Sequence, residues 1–109
     1  MSNYRIFEFE RYYFQFAKLP NWEQQRIERF ALQLSEKGSL VGKQLRFSFF
    51  REKRFNGNRL YFLVYEEWKA VLLVDISDKK GQPETIERIA SGLNEMKEFV
   101  RKKISEYPE

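Results

Sequence analysis

Residues 42 to 82, GKQLRFSFFREKRFNGNRLYFLVYEEWKAVLLVDISDKKGQ, constrain the fold more than any other part of the chain, because they read as three β-strands in succession. Leu45 to Phe55 is rich in aromatic residues, and Asn56-Gly57-Asn58 is a turn signal. Arg59 to Tyr65 follows at once with the branched and aromatic residues of a strand, so the two segments form a hairpin. After the short connection Glu66-Glu67-Trp68-Lys69, Ala70 to Ser77 is almost wholly apolar. A strand covered on both faces has this composition, which places it at the centre of the sheet.

Charge singles out the same stretch. Between residues 43 and 59 six cations (Lys43, Arg46, Arg51, Lys53, Arg54, Arg59) accompany one acid, Glu52, and Lys79 and Lys80 add two more. This local excess is larger than the net charge of the whole chain, +4, so the remainder is net acidic. A single-signed cluster on a sheet repels itself unless an anion meets it, and polyphosphate backbones are the commonest such partner. The competing reading is a solvated edge strand protected against aggregation. Phe47, Phe49, Phe50 and Phe55 lie among these cations, where they are candidates for base stacking. Aromatic residues on a strand are more often core, and that is the expectation adopted for them.

The chain has 109 residues, enough for one domain, 1–109, with a single core and no staples. It has no cysteine and no histidine. This composition leaves thiol nucleophiles, serine–histidine triads and histidine general acids or bases out of consideration, and no metal or other cofactor is expected. Any chemistry rests on Lys, Arg, Tyr, Asp, Glu, Ser or the backbone. The opening MSNYRIFEF lacks the apolar run of a signal peptide, and no stretch approaches the roughly 20 apolar residues of a membrane span, so a cytoplasmic protein is expected.

Around the central stretch the periodicity is helical, apart from Tyr4 to Phe9, where Phe7 and Phe9 alternate with Glu8 and Glu10 as in a half-buried strand. Arg11 to Leu19 reads as a short helix that sets Tyr12, Tyr13, Phe16 and Leu19 on the sheet. After Pro20, Asn21 and Gln24 have the spacing of a capping box, opening a helix with Ile27, Phe30, Ala31 and Leu34 on its apolar face and Lys37-Gly38 at its end. Gln82-Pro83 starts a long terminal helix whose stripe runs through Ile86, Ile89, Leu93, Met96, Val100 and Ile104. The stripe either projects as a partner surface at Phe99, Val100 and Ile104 or bends across the core. Gly92 lies within it, at about 1 kcal/mol relative to alanine.

In order and spacing these segments resemble the RelE/ParE toxin superfamily of type II toxin–antitoxin systems. The resemblance rests on an amino-terminal strand, a helical hairpin from Glu10 to Gly38, the basic strand LRFSFFREKRF, the strand RLYFLVY and the apolar strand VLLVDISDKK ending in cations. It implies an α+β fold in which a twisted antiparallel sheet of about four strands carries two helices on one face, with a long carboxy-terminal helix. It also implies a ribosome-dependent endoribonuclease acting on messenger RNA and held inactive by an antitoxin. In that reaction the 2′-hydroxyl of the RNA attacks the adjacent phosphate and leaves a 2′,3′-cyclic phosphate. The chemistry needs a base, cations for the phosphorane and an acid for the departing oxygen.

Carried over by the resemblance, Arg59 matches the arginine of a YRLVY-like strand that holds the scissile phosphate. Lys80 matches a second clamping arginine, keeping the charge without the bidentate fork. On the basic strand Arg54 falls on a basic position, whereas Glu52 and Phe50 fall where related ribonucleases often have lysines. A one-residue shift at a bulge near Phe49-Phe50 would bring Lys53 and Arg51 there instead, and with no shift Glu52 stands as a carboxylate base. Arg46, Arg51, Lys43 and Lys79 complete the expected RNA surface. Ile86 occupies the position of the family's carboxy-terminal tyrosine. Two other readings stay open: a ParE-like topoisomerase poison without catalysis, and a relative that binds only RNA or its antitoxin.

Overall fold

The structure, a computed structural model, describes residues 3–37 and 41–108. It is α+β, with strands β1 (Arg5–Glu8), β2 (Lys43–Gln44), β3 (Phe50–Phe55), β4 (Asn58–Tyr65) and β5 (Ala70–Asp78) in one sheet ordered β1-β5-β4-β3-β2. Helices α1 (Glu10–Ala17) and α2 (Asn21–Lys37) precede β2, and α3 (Gln82–Ser91) and α4 (Leu93–Glu106) follow β5.

Two expectations about the sheet are corrected. It has five strands where about four were expected, and it is mixed: β1 pairs parallel to β5, whereas the pairs β2–β3, β3–β4 and β4–β5 are antiparallel. The parallel pair arises because the α1–α2 hairpin carries the chain away from β1 and the returning β5, apolar on both faces, takes β1 on its free edge. The strand at the centre is therefore β4, with β5 beside it. Of the segment read as one basic strand, only Phe50–Phe55 is a strand; residues 45–49 form a loop behind the two-residue β2.

Each face of the sheet has its own core. On one face Leu60, Phe62, Val71, Leu73 and Ile76 pack against Tyr12 of α1 and Ile27, Phe30 and Leu34 of α2. On the other, Phe50, Tyr61, Leu63, Leu72 and Val74 pack against Ile89 of α3 and Met96 and Val100 of α4. The terminal stripe thus bends across the core: Val100 is fully buried, and Phe99 and Ile104 pack against the same cluster. The bend falls at Gly92, whose amide closes α3 on the Ile89 carbonyl and whose carbonyl opens α4 by accepting the Met96 amide.

Local readings differ in two further places. Pro20, not Asn21, opens α2, its carbonyl accepting the amides of Glu23 and Gln24, and the Gln24 side chain bonds to the Phe16 carbonyl instead of closing a capping box. In α1 Tyr12 is buried but Tyr13 is exposed with Phe14. The helix stop read at Lys37-Gly38 lies partly outside the described residues, at Gly38.

Gly42 shows why the β2 region needs a glycine. Its φ is +82°, and a Cβ there would lie 2.8 Å from Phe62 Cζ and 2.9 Å from the Glu52 carbonyl oxygen. Gly42→Ala is expected to destabilise the protein by roughly 1–3 kcal/mol through backbone strain and displacement of a core ring. A urea midpoint unchanged from the parent would contradict this.

Candidate functional site

The candidate site lies at the hairpin end of the α3-covered face. In the β3–β4 ladder Glu52 is opposite Tyr61 and Arg54 is opposite Arg59; in the β4–β5 ladder Asp75 is opposite Tyr61 and Ser77 is opposite Arg59. Strand pleating puts these six side chains on one face in two adjacent rows. A bulge between Tyr61 and Phe62 leaves Val74 without a ladder partner and resets the parity of β5, so that Asp75 joins the row instead of pointing at α2.

Glu52 is the hub. Its residue is 1% exposed, its Oε1 accepts a 2.7 Å hydrogen bond from Gln82 Nε2 at the start of α3, and its Oε2 lies 3.9 Å from Arg59 Nε and 3.8 Å from Arg54 Nε. Arg59 is 5% exposed, whereas Arg54 reaches solvent. Glu52 Oε2 and Arg59 Nε are both buried, and neither makes a hydrogen bond among the described residues. They form an ion pair too long to be a hydrogen bond. A recess of about 390 Å³, lined by Gly42, Lys43, Glu52, Lys53 and Arg54, lies at the β2–β3 edge.

Tyr61 lies under the same rows, fully buried, its hydroxyl 2.8 Å from Ser77 Oγ. Burial pushes its phenol up from the ordinary value, and the hydrogen bond to Ser77 pulls the other way. Lys80 is exposed in the connection between β5 and α3, three positions beyond Ser77, and so sits at the same end of the sheet as Arg59. Lys79 is exposed beside it, and Asp78 Oδ1 accepts the Gly81 amide at 2.7 Å, which turns the chain into α3.

Of the two registers open for the basic strand, the structure has the unshifted one. Pairing of β3 with β4 is regular from Phe50 to Phe55, and the bulge lies between β4 and β5 instead. Glu52 and Arg54 therefore face the site, while Lys53 faces α2, its Nζ 5.6 Å from the centre of the Phe30 ring. Two of the cations assigned to RNA are engaged in local structure. Arg51 donates to the carbonyls of Val41, Ser48 and Gly42 at 3.0, 2.9 and 3.1 Å, and Arg46 pairs with Glu87 of α3. Lys43 is exposed on β2 opposite Glu52. Ile86 packs against the α3–α4 core and supplies no proton donor.

Sequence reasoning missed Gln82, which it read only as a helix start, and the ion-pair hub at Asp75. That carboxylate is 1% exposed and its Oδ2 accepts from Arg11 Nε at 2.8 Å and Arg88 Nη1 at 2.9 Å. No local pattern predicts either contact, because the partners lie 30 to 64 residues away for Gln82 and Arg11 and the geometry depends on how α1 and α3 cross the sheet. Among the described residues no group of acids could hold a metal ion, and no helix is long and apolar enough to cross a membrane.

Comparison with solved structures identifies the fold. Neither protein-family models nor curated protein sequences match the chain. Solved structures do: a doubly substituted E. coli toxin RelE in the free state superimposes with a TM-score of 0.66 at 16% identity, covering 82% of this chain and 99% of that one. The toxin–antitoxin complex RelBE2 from Mycobacterium tuberculosis gives 0.62 at 22% identity, covering 71% and 99%. The archaeal RelE–RelB complex from Pyrococcus horikoshii OT3 gives 0.59 at 15% identity, covering 71% and 96%. The fold of this chain is that of the RelE toxins.

Proposed function

We propose that this protein is the toxin of a toxin–antitoxin pair, a RelE-like endoribonuclease that cuts messenger RNA on the ribosome and is held inactive by a protein antitoxin. The observation that carries the reading is the Glu52 carboxylate, fixed by Gln82 between Arg54 and Arg59 at the end of the sheet where the chain turns through Lys80. Glu52, uncovered when the exposed Arg54 side chain moves off its buried carboxylate, takes the proton of the 2′-hydroxyl, whose oxygen then bonds to phosphorus. Arg59, Arg54 and Lys80 stabilise the added negative charge. The bond from phosphorus to the 5′-oxygen breaks, that oxygen leaves with a proton from Lys80 or solvent, and a 2′,3′-cyclic phosphate remains. A carboxylate flanked by arginines supplies base and charge stabilisation where histidine is missing.

Incubating the purified protein with ribosomes programmed with messenger RNA and mapping 5′ ends tests this directly. Cleavage that Glu52→Gln abolishes supports the assignment, and intact message would sink it. Binding of the protein to RNA should weaken steeply between low and physiological salt, since phosphate contacts release counterions. A salt-independent affinity, read by fluorescence anisotropy, would contradict a phosphate-led interface.

One observation favours a second reading, a ParE-like poison of a topoisomerase with no catalysis. Ile86 is packed into the core where the family's ribonucleases place a tyrosine, so the proton inventory is short. Inhibition of gyrase supercoiling with no effect on programmed ribosomes would select it.

A further inference from the structure

The loop of residues 45–49 is built to hold two phenylalanine rings in the open. Phe47 and Phe49 are 40% and 36% exposed, and they stack on each other with centroids 5.3 Å apart and planes 9° from parallel. The loop beneath them is tied at every turn. Leu45 N–H donates to the Phe50 carbonyl, Phe50 N–H to the Phe47 carbonyl and Val64 N–H to the Phe49 carbonyl. Arg51 holds the Ser48 carbonyl, and Arg46 ties the loop to Glu87 of α3. Two arginines of the basic cluster are thus used to pre-organise this loop. A rigid exposed aromatic pair loses little entropy on binding a flat partner.

Beside the pair, Phe49 forms one wall of a recess of about 430 Å³ completed by Val64, Tyr65, Leu93, Asn94 and Lys97. Asn94 brings an amide with both a donor and an acceptor, while the acids of the lining are engaged, Glu66 by Tyr4 and Lys69 and Glu67 by Lys97. The recess and the Glu52 site lie along one flank of α3, at opposite ends: Gln82 meets Glu52 at the start of the helix, Glu87 meets Arg46 midway, and Leu93 follows its end. Along β3, Phe49 is five residues from Arg54, about 17 Å of strand at roughly 3.4 Å per residue, which a few nucleotides of single strand bridge.

We infer that this aromatic-walled recess is a nucleobase subsite, which takes one unpaired base of the RNA whose scissile phosphate lies at Arg59. The inference rests on the endoribonuclease reading above and adds where the substrate is read. The base stacks on Phe49, which Phe47 backs, and the Asn94 amide meets its edge. RNA is favoured over a protein partner because the recess continues the flank of α3 that leads to the cationic site.

The test uses a short 2′-O-methyl RNA, which cannot be cleaved by its own 2′-oxygen, with 2-aminopurine placed at successive positions. Quenching at one position is expected with the parent protein. Phe49→Ala is expected to abolish that quenching and weaken binding about fivefold to a hundredfold, the range for one lost base stack. Phe49→Leu, which keeps apolar bulk without a ring, should give the same loss and so separates stacking from folding. Asn94→Ala should weaken binding of that base while leaving its quenching in place. Unchanged quenching and affinity in both Phe49 variants would overturn the subsite while leaving the catalytic reading intact. An altered affinity for an antitoxin peptide with RNA binding unchanged would overturn it in favour of a protein contact. A parent protein that binds no RNA would remove the catalytic reading and this inference together.

Discussion

Arg59→Ala is expected to remove cleavage of ribosome-bound message and to destabilise the fold at the same time. On the catalytic side, one lost charge-stabilising donor in a largely dry site typically lowers the rate by about 10²–10³. On the structural side, Glu52 is 1% exposed and Arg59 is its buried cationic neighbour. Deleting one partner of a buried ion pair costs about 3–5 kcal/mol, because the other charge is left in a low dielectric. The exposed Arg54 3.8 Å away offsets part of this, so the lower end of that range is expected. Arg54→Ala and Lys80→Ala separate the two effects. Both side chains reach solvent, so melting temperatures should stay close to the parent while cleavage falls. Thermal melts run beside primer extension on programmed ribosomes read both quantities. If Arg54→Ala together with Lys80→Ala cuts message as fast as the parent, the site is elsewhere.

Asp75→Ala is expected to destabilise the fold by removing the hydrogen bonds that tie α1 and α3 to the sheet. Asp75 Oδ2 is the meeting point of Arg11 from α1 and Arg88 from α3, and Oδ1 accepts the Ile76 amide at 2.8 Å. Removing the carboxylate leaves two guanidinium groups facing each other across a void. Both arginines reach solvent, so a loss of roughly 2–3 kcal/mol follows from the broken charged hydrogen bonds, and for a domain of this size the melting temperature should fall by about 10 °C. Arg11→Ala and Arg88→Ala should each cost much less, since both arginines are partly exposed and each leaves the carboxylate its other partner. A double-mutant cycle that adds simply across Arg11 and Arg88 would contradict their shared dependence on Asp75.

Much of the architecture was legible in the residues because periodicity records burial. The α2 face of Ile27, Phe30, Ala31 and Leu34 is the face that packs. The turn at Asn56-Gly57 joins β3 to β4, with Asn56 at φ 54°, a conformation that asparagine tolerates. The long apolar stripe was visible, but its direction was not. A helical stripe looks the same whether it projects or bends, and only the break at Gly92 returns it to the sheet. The parallel β1–β5 pair was also invisible, since an alternating strand of four residues carries no mark of its partner's direction.

For the site, the sequence by itself determined the inventory: a basic hairpin with one acid in it, no histidine or cysteine, and Arg59 and Lys80 near the ends of neighbouring strands. Tertiary structure decided which of those residues face one another. Register places Glu52 and Arg54, not Lys53, beside Arg59, and the β5 bulge turns Asp75 toward α3. The packing of α3 brings Gln82 onto Glu52 from 30 positions away, and Arg46 and Arg51 are drawn off to brace a loop. The physical reason is that composition and period are local quantities, whereas an ion pair depends on the side of a pleated strand to which each residue points, and one unpaired residue in a ladder reverses that side.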